Sequence, residues 1–154
     1  MDNADLDRRY CALKETMKER NQDRNIKAKI ERWLWHGTSM DNIEQICRQG
    51  FNRSYCRRAT SKYGKGVYFS TSFSYSQKFS PADNTGFCTA LLCRVLVGSY
   101  AKGDAGMMEP PMLNPADMER YDSCVDNVNN PTKFVVFQDA QAYPEYVLTF
   151  NMLA

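Results

Sequence analysis

The chain has 154 residues, a length that suits a single domain able to bury about two thirds of the surface its unfolded form exposes. Charged residues make up 25% and hydrophobic residues 43%, a globular balance that excludes a disordered or fibrous chain. Twenty Lys and Arg against eighteen Asp and Glu leave a net charge of +2, too small for a global field that would draw nucleic acid or a membrane.

No apolar run reaches the ~18–20 residues that cross a bilayer, and the charged start Met1-Asp2-Asn3-Ala4-Asp5 lacks the apolar core of a signal peptide. The six cysteines, at 11, 47, 56, 88, 93 and 124, include no CxxC pair, and His36 is the only histidine. They read as thiols in a reducing compartment, cytoplasmic or nuclear, rather than as a disulfide framework or a metal site.

From about Asp5 to Arg24, Leu6, Tyr10, Leu13 and Met17 fall on one stripe, which predicts a helix packed on the rest of the domain. Arg32 to Gly37 is an aromatic run closed by glycine, a strand and a turn. A second helix follows, capped by Ser39 or by Asp41 with Glu44 in a capping-box spacing. Its inward residues are Ile43, Ile46 and Cys47, and Gly50 stands at its C-terminal cap. Asn52 to Lys65 reads as a loop, Gly66 to Ser70 as a strand, and Ser72 to Ser80 as a short helix ended by Pro81 to Gly86. Thr89 to Tyr100 predicts a central strand, and Ala101 to Arg120, with three prolines, a long irregular excursion. Lys133 to Gln138 and Glu145 to Phe150 complete the strands, with Tyr121 to Val128 as a weaker candidate.

Several local features could carry chemistry. His36 is followed by Gly37 and by the hydroxyls of Thr38 and Ser39 where a strand ends, which suits a ligand site and equally a satisfied structural histidine. Gly64-Lys65-Gly66 matches neither a P-loop nor a dinucleotide fingerprint; its glycines let the backbone pass close to a ligand or a neighbouring strand. Arg53, Arg57, Arg58, Lys62 and Lys65 lie in a stretch without acids, able to attract phosphates or to form a solvated face. Tyr55, Tyr63, Tyr68, Phe73, Tyr75 and Phe79 could stack on a base or fill the core.

Taken in order and spacing, Trp35-His36-Gly37-Thr38, Gly50-Phe51-Asn52-Arg53-Ser54, Tyr63-Gly64-Lys65-Gly66-Val67-Tyr68-Phe69 and Tyr121-Asp122-Ser123 resemble the catalytic domain of the poly(ADP-ribose) polymerase-like, diphtheria-toxin-type ADP-ribosyltransferases. The resemblance runs from about Glu31 to Phe150. It is closest to the macrodomain-associated mono-ADP-ribosyltransferase branch. It implies an α+β fold, a split, bent, antiparallel-rich β-sheet pair with flanking helices and an NAD cleft. Residues 31–154 would be the catalytic domain, and residues 1–30 an N-terminal helix packed on it.

Carried over by position, His36 would bond the adenosine ribose, while the Gly37 backbone and the Ser76 hydroxyl would hold the nicotinamide amide. Tyr68 and Phe79 would sandwich the nicotinamide ring, and Thr38 and Asn42 fall on the adenosine side. The third catalytic position, a glutamate in polymerising members, is Lys133 here, although Glu145-Tyr146-Val147-Leu148 superficially mimics the same strand. The implied activity is transfer of one ADP-ribose from NAD, without a metal, to acceptor proteins, the chain itself among them. Nucleic acid is left as a minor alternative acceptor. The competing reading is a catalytically silent NAD- or ADP-ribose-binding domain, because an ammonium at Lys133 accepts no proton.

Overall fold

A computed structural model describes residues 2–52 and 61–151. Chain order begins with helix α1 (Ala4–Asp23), strand β1 (Glu31–Gly37), helix α2 (Met40–Gln49), strand β2 (Val67–Ser70) and helix α3 (Phe73–Gln77). Strands β3 (Phe87–Leu96), β4 (Tyr100–Lys102), β5 (Met112–Asn114), β6 (Glu119–Arg120), β7 (Ser123–Val125), β8 (Lys133–Val136) and β9 (Ala142–Asn151) follow. Seven strands make one sheet in the order β4-β7-β8-β2-β1-β3-β9, antiparallel throughout except for the parallel β4–β7 pair. β5 and β6 form a separate two-stranded ribbon.

The sheet is unevenly tied. β1 and β3 are in register over all seven residues of β1, from Glu31↔Leu96 to Gly37↔Ala90, whereas β1 and β2 share the single pair Trp35↔Ser70. The two halves, β4-β7-β8-β2 and β1-β3-β9, are therefore joined at one ladder position, and His36 and Gly37 lie just past it.

α1 starts at Asn3, whose side chain accepts from the Leu6 amide, and its stripe of Leu6, Tyr10 and Met17 is buried against Leu96 and Tyr143. Arg94 fixes the same face: its guanidinium lies between the Tyr10 and Tyr143 rings, 5.0 and 4.9 Å from their centroids. It also reaches Glu145 at 2.9 Å and Asp7 at 3.3 Å. α2 is capped by Ser39, whose hydroxyl accepts from the Asn42 amide, so Asp41 lies inside the first turn and its expected capping-box role is not used. At the other end Gly50 takes φ +81°, as its cap position requires, and donates to the Ile46 carbonyl. Ile43 and Ile46 join Leu34, Phe51, Phe69, Leu91, Val95 and Phe134 in the main core.

Several expected boundaries move. Regular helix in α3 stops at Gln77, and isolated turns, Phe79 N to Ser76 O and Ser80 N to Gln77 O, carry the chain to Ser80. The expected strand from Thr89 to Tyr100 breaks after Leu96, because the Val97 and Gly98 amides both turn to the Ile30 carbonyl and the Ser99 amide to Asp122. The excursion expected to be irregular contains β4 and the β5–β6 ribbon. β9 begins at Ala142 rather than Glu145, with a bulge opposite Leu92 and Cys93 that accommodates Pro144, which has no amide to donate.

Of the basic stretch, Arg53, Arg57 and Arg58 lie outside the described residues, as do Tyr55 and Cys56. Among the described residues the cysteines are free thiols, no group of three or more His, Cys, Asp or Glu is placed to hold a metal ion, and no helix is long and apolar enough to cross a membrane.

Candidate active site at the joint of the sheet

His36 is buried at the end of β1, its ring 5.1 Å from Phe51 and 5.3 Å from Phe69. Its Nδ1 lies 2.8 Å from the Tyr68 carbonyl, and because a carbonyl only accepts, Nδ1 carries the proton and donates. That bond crosses from β1 to β2 at the weakly tied joint and fixes the ring's orientation.

Gly37 is adjacent. A Cβ placed there would stand 1.8 Å from the Ser76 carbonyl oxygen and 2.8 Å from the Ser80 hydroxyl oxygen, so only glycine lets the end of β1 lie against α3. Thr38 is buried just before the α2 cap, and its hydroxyl accepts at 3.0 Å from the side-chain amide of Asn42 in the first turn of α2. Ser76, also buried, comes from α3.

On the facing strand the Tyr68 hydroxyl is held at both of its functions: it accepts from the Tyr63 amide at 2.9 Å and donates to the Gly64 carbonyl at 2.8 Å. A Cβ at Gly66 would fall 2.4 Å from the Val136 carbonyl oxygen, so this glycine serves the approach of β2 to β8. A Cβ at Gly64 would instead fall 2.7 Å from the Phe137 ring.

Lys133 opens β8 directly opposite Ser70. Its ammonium lies 4.7 Å over the Tyr75 ring, and Tyr75 meets Phe79 edge to face at 5.2 Å. Burial pushes the Tyr75 hydroxyl up from its ordinary pKa, with Tyr63 and Asp126 adding to the effect. Asp126 organises the turn into β8: one carboxylate oxygen accepts from the Thr132 and Lys133 amides, the other from the Thr132 hydroxyl. Burial works to raise the Asp126 carboxyl, but these bonds hold it below its ordinary value. Asp126, Thr132 and the pairing of Tyr75 with Lys133 were not singled out from sequence. The signal available was the Asp-Asn-Val-Asn-Asn-Pro-Thr string, which is rich in residues that fold turns through their side chains.

Glu145, the mimic of the third position, lies on β9, with β2, β1 and β3 standing between it and β8. It binds Arg94, on the face that receives α1. His36, Gly37, Tyr68, Ser76 and Lys133 thus gather around the β1–β2 joint, together with Tyr75 and Phe79.

The sequence profile of the poly(ADP-ribose) polymerase catalytic domain matches residues 1–111. The chain belongs to that family. It is 40% identical over 153 residues to human protein mono-ADP-ribosyltransferase PARP14, covering 97% of this chain and 8% of that protein. Its identity to mouse protein mono-ADP-ribosyltransferase PARP10 is 37% over 146 residues, 94% of this chain and 15% of the relative. Human protein mono-ADP-ribosyltransferase PARP12 is 42% identical over 125 residues, 81% of this chain and 18% of the relative. The chain therefore spans less than a fifth of the length of these three relatives. Lys133 lies beyond the stretch matched by the profile.

Proposed function

We propose that this chain is the catalytic unit of an NAD-dependent protein mono-ADP-ribosyltransferase, moving one ADP-ribose from NAD to an acceptor side chain with release of nicotinamide. The observation that carries the reading is the gathering of His36, Gly37, Tyr68, Ser76 and Phe79 at one joint of the sheet in a chain of this family, with a lysine opening β8. Three relatives bearing the name mono-ADP-ribosyltransferase support the same reading. The unit is residues 31–154 with the helix of residues 1–30 packed on it, working in the cytoplasm or nucleus.

With Nδ1 committed to the Tyr68 carbonyl, Nε2 is the ring atom assigned to the adenosine ribose. The Gly37 backbone and Ser76 hydroxyl fix the nicotinamide amide, and Tyr68 and Phe79 supply aromatic faces for its ring. Such fixed geometry lowers the barrier by holding the reacting bond in a productive orientation. The C1–N bond breaks with its electron pair leaving on nicotinamide, the ribose becomes oxocarbenium-like, and an acceptor oxygen bonds C1. A hydroxyl acceptor needs a base, and the Lys133 ammonium accepts no proton. A carboxylate acceptor is already ionised at neutral pH and brings charge that offsets both the cation and the ammonium. Extension through a ribose hydroxyl is therefore disfavoured, and transfer stops after one unit. No membrane partner and no metal enter this scheme.

The test is incorporation of label from adenine-tagged NAD into the chain or an added acceptor protein. His36→Ala should lower it roughly a hundredfold, the scale expected of lost positioning, in protein shown by circular dichroism to remain folded. Full labelling by His36→Ala would remove the site assignment.

A further inference from the structure

Lys133 brings a positive charge to a part of the site that has little to neutralise it. Its ammonium forms no ion pair among the described residues, and its contact is the face of the Tyr75 ring at 4.7 Å. The carboxylate at the turn into β8, Asp126, is committed to the Thr132 amide and hydroxyl and to the backbone amide of Lys133 itself. Two contacts, 4.7 Å to Tyr75 and then 5.2 Å from Tyr75 to Phe79, link the ammonium to the ring assigned to nicotinamide.

We infer that Lys133 makes the site select ligands by the charge of the nicotinamide ring, weakening the oxidised dinucleotide relative to ligands whose ring is neutral. The inference rests on the proposed placement of nicotinamide between Tyr68 and Phe79. The oxidised ring is a pyridinium cation, whereas the reduced ring and free nicotinamide carry no charge. Repulsion from a fixed ammonium acts on the first alone. Tyr75 sharpens the effect, because its aromatic face is the surface that would attract a cation, and Lys133 already covers it. The consequence for turnover is that released nicotinamide competes well against incoming NAD, so the product holds the site more strongly than a neutral residue at position 133 would allow.

The test is calorimetric titration of the chain with two ligands differing in ring charge: a carbocyclic NAD analogue, which keeps the pyridinium and cannot transfer, and the reduced dinucleotide. Lys133→Leu should tighten the charged ligand about threefold to tenfold, the range for like charges in a partly screened site, and move the neutral one less than twofold. Lys133→Arg, which keeps the charge and the ring contact, should retain the original ratio, and 0.5 M salt should shrink the difference. Equal shifts for both ligands, or none, would overturn the inference. The placement fails separately if His36→Ala and Gly37→Ala leave binding of both ligands unchanged.

Discussion

The carbonyl oxygen of Ser76 stands 1.8 Å from where a Cβ at Gly37 would be, so the end of β1 and α3 meet backbone to backbone. Neither element could approach the other this closely with any side chain at position 37. The contact also brings together the two groups assigned to the nicotinamide amide.

Gly37→Ala should accordingly cost both stability and binding. The added methyl must push α3 outward, displacing Ser76 and, through the following turn, Phe79. NAD-dependent thermal stabilisation should fall by a factor corresponding to roughly a hundredfold loss of affinity, the effect of about an ångström of misplacement. Unchanged stabilisation would separate the Gly37–Ser76 contact from NAD binding.

Asp122 should act on stability rather than on binding. Its carboxylate is fully buried and accepts from Arg20 and Asn21 of α1 and from the amide and hydroxyl of Ser99. Asp122→Ala strands those donors and uncouples α1 from the sheet. A loss of about 3 kcal/mol in urea unfolding is expected, on the scale of breaking a buried ion pair. Limited proteolysis should then cut first near residues 24–30.

The turn held by Asp126 predicts an acid limb in stability. A carboxyl whose folded pKa is depressed contributes stability above its unfolded pKa and loses that contribution as pH falls through the folded value. Melting temperature should therefore drop as pH falls below about 4, and Asp126→Asn should flatten that limb. An unchanged limb in the variant would assign the acid sensitivity to other carboxylates.

Local patterning carried the helices well. The stripe of Leu6, Tyr10 and Met17 placed α1, and Ser39 with Gly50 bracketed α2, because caps and periodicity are short-range properties. Features set by distant partners were not legible. The break after Leu96 depends on Ile30 and Asp122, and the single pair joining β1 to β2 depends on how the halves of the sheet diverge. The early start of β9 was hidden by Pro144, which reads as a strand breaker and is tolerated at a bulge. In the site, His36 and Tyr68 were reachable through co-ordered motifs. The closeness of Gly37 to Ser76 and the seat of Lys133 on Tyr75 are tertiary facts that no spacing expresses.

The central claim is transfer of a single unit, and intact-protein mass spectrometry after incubation with NAD tests it most directly. The account predicts additions of one ADP-ribose per modified site, absent in His36→Ala. A ladder of repeated additions at one site would contradict it, as would no addition to the chain or to any acidic acceptor offered.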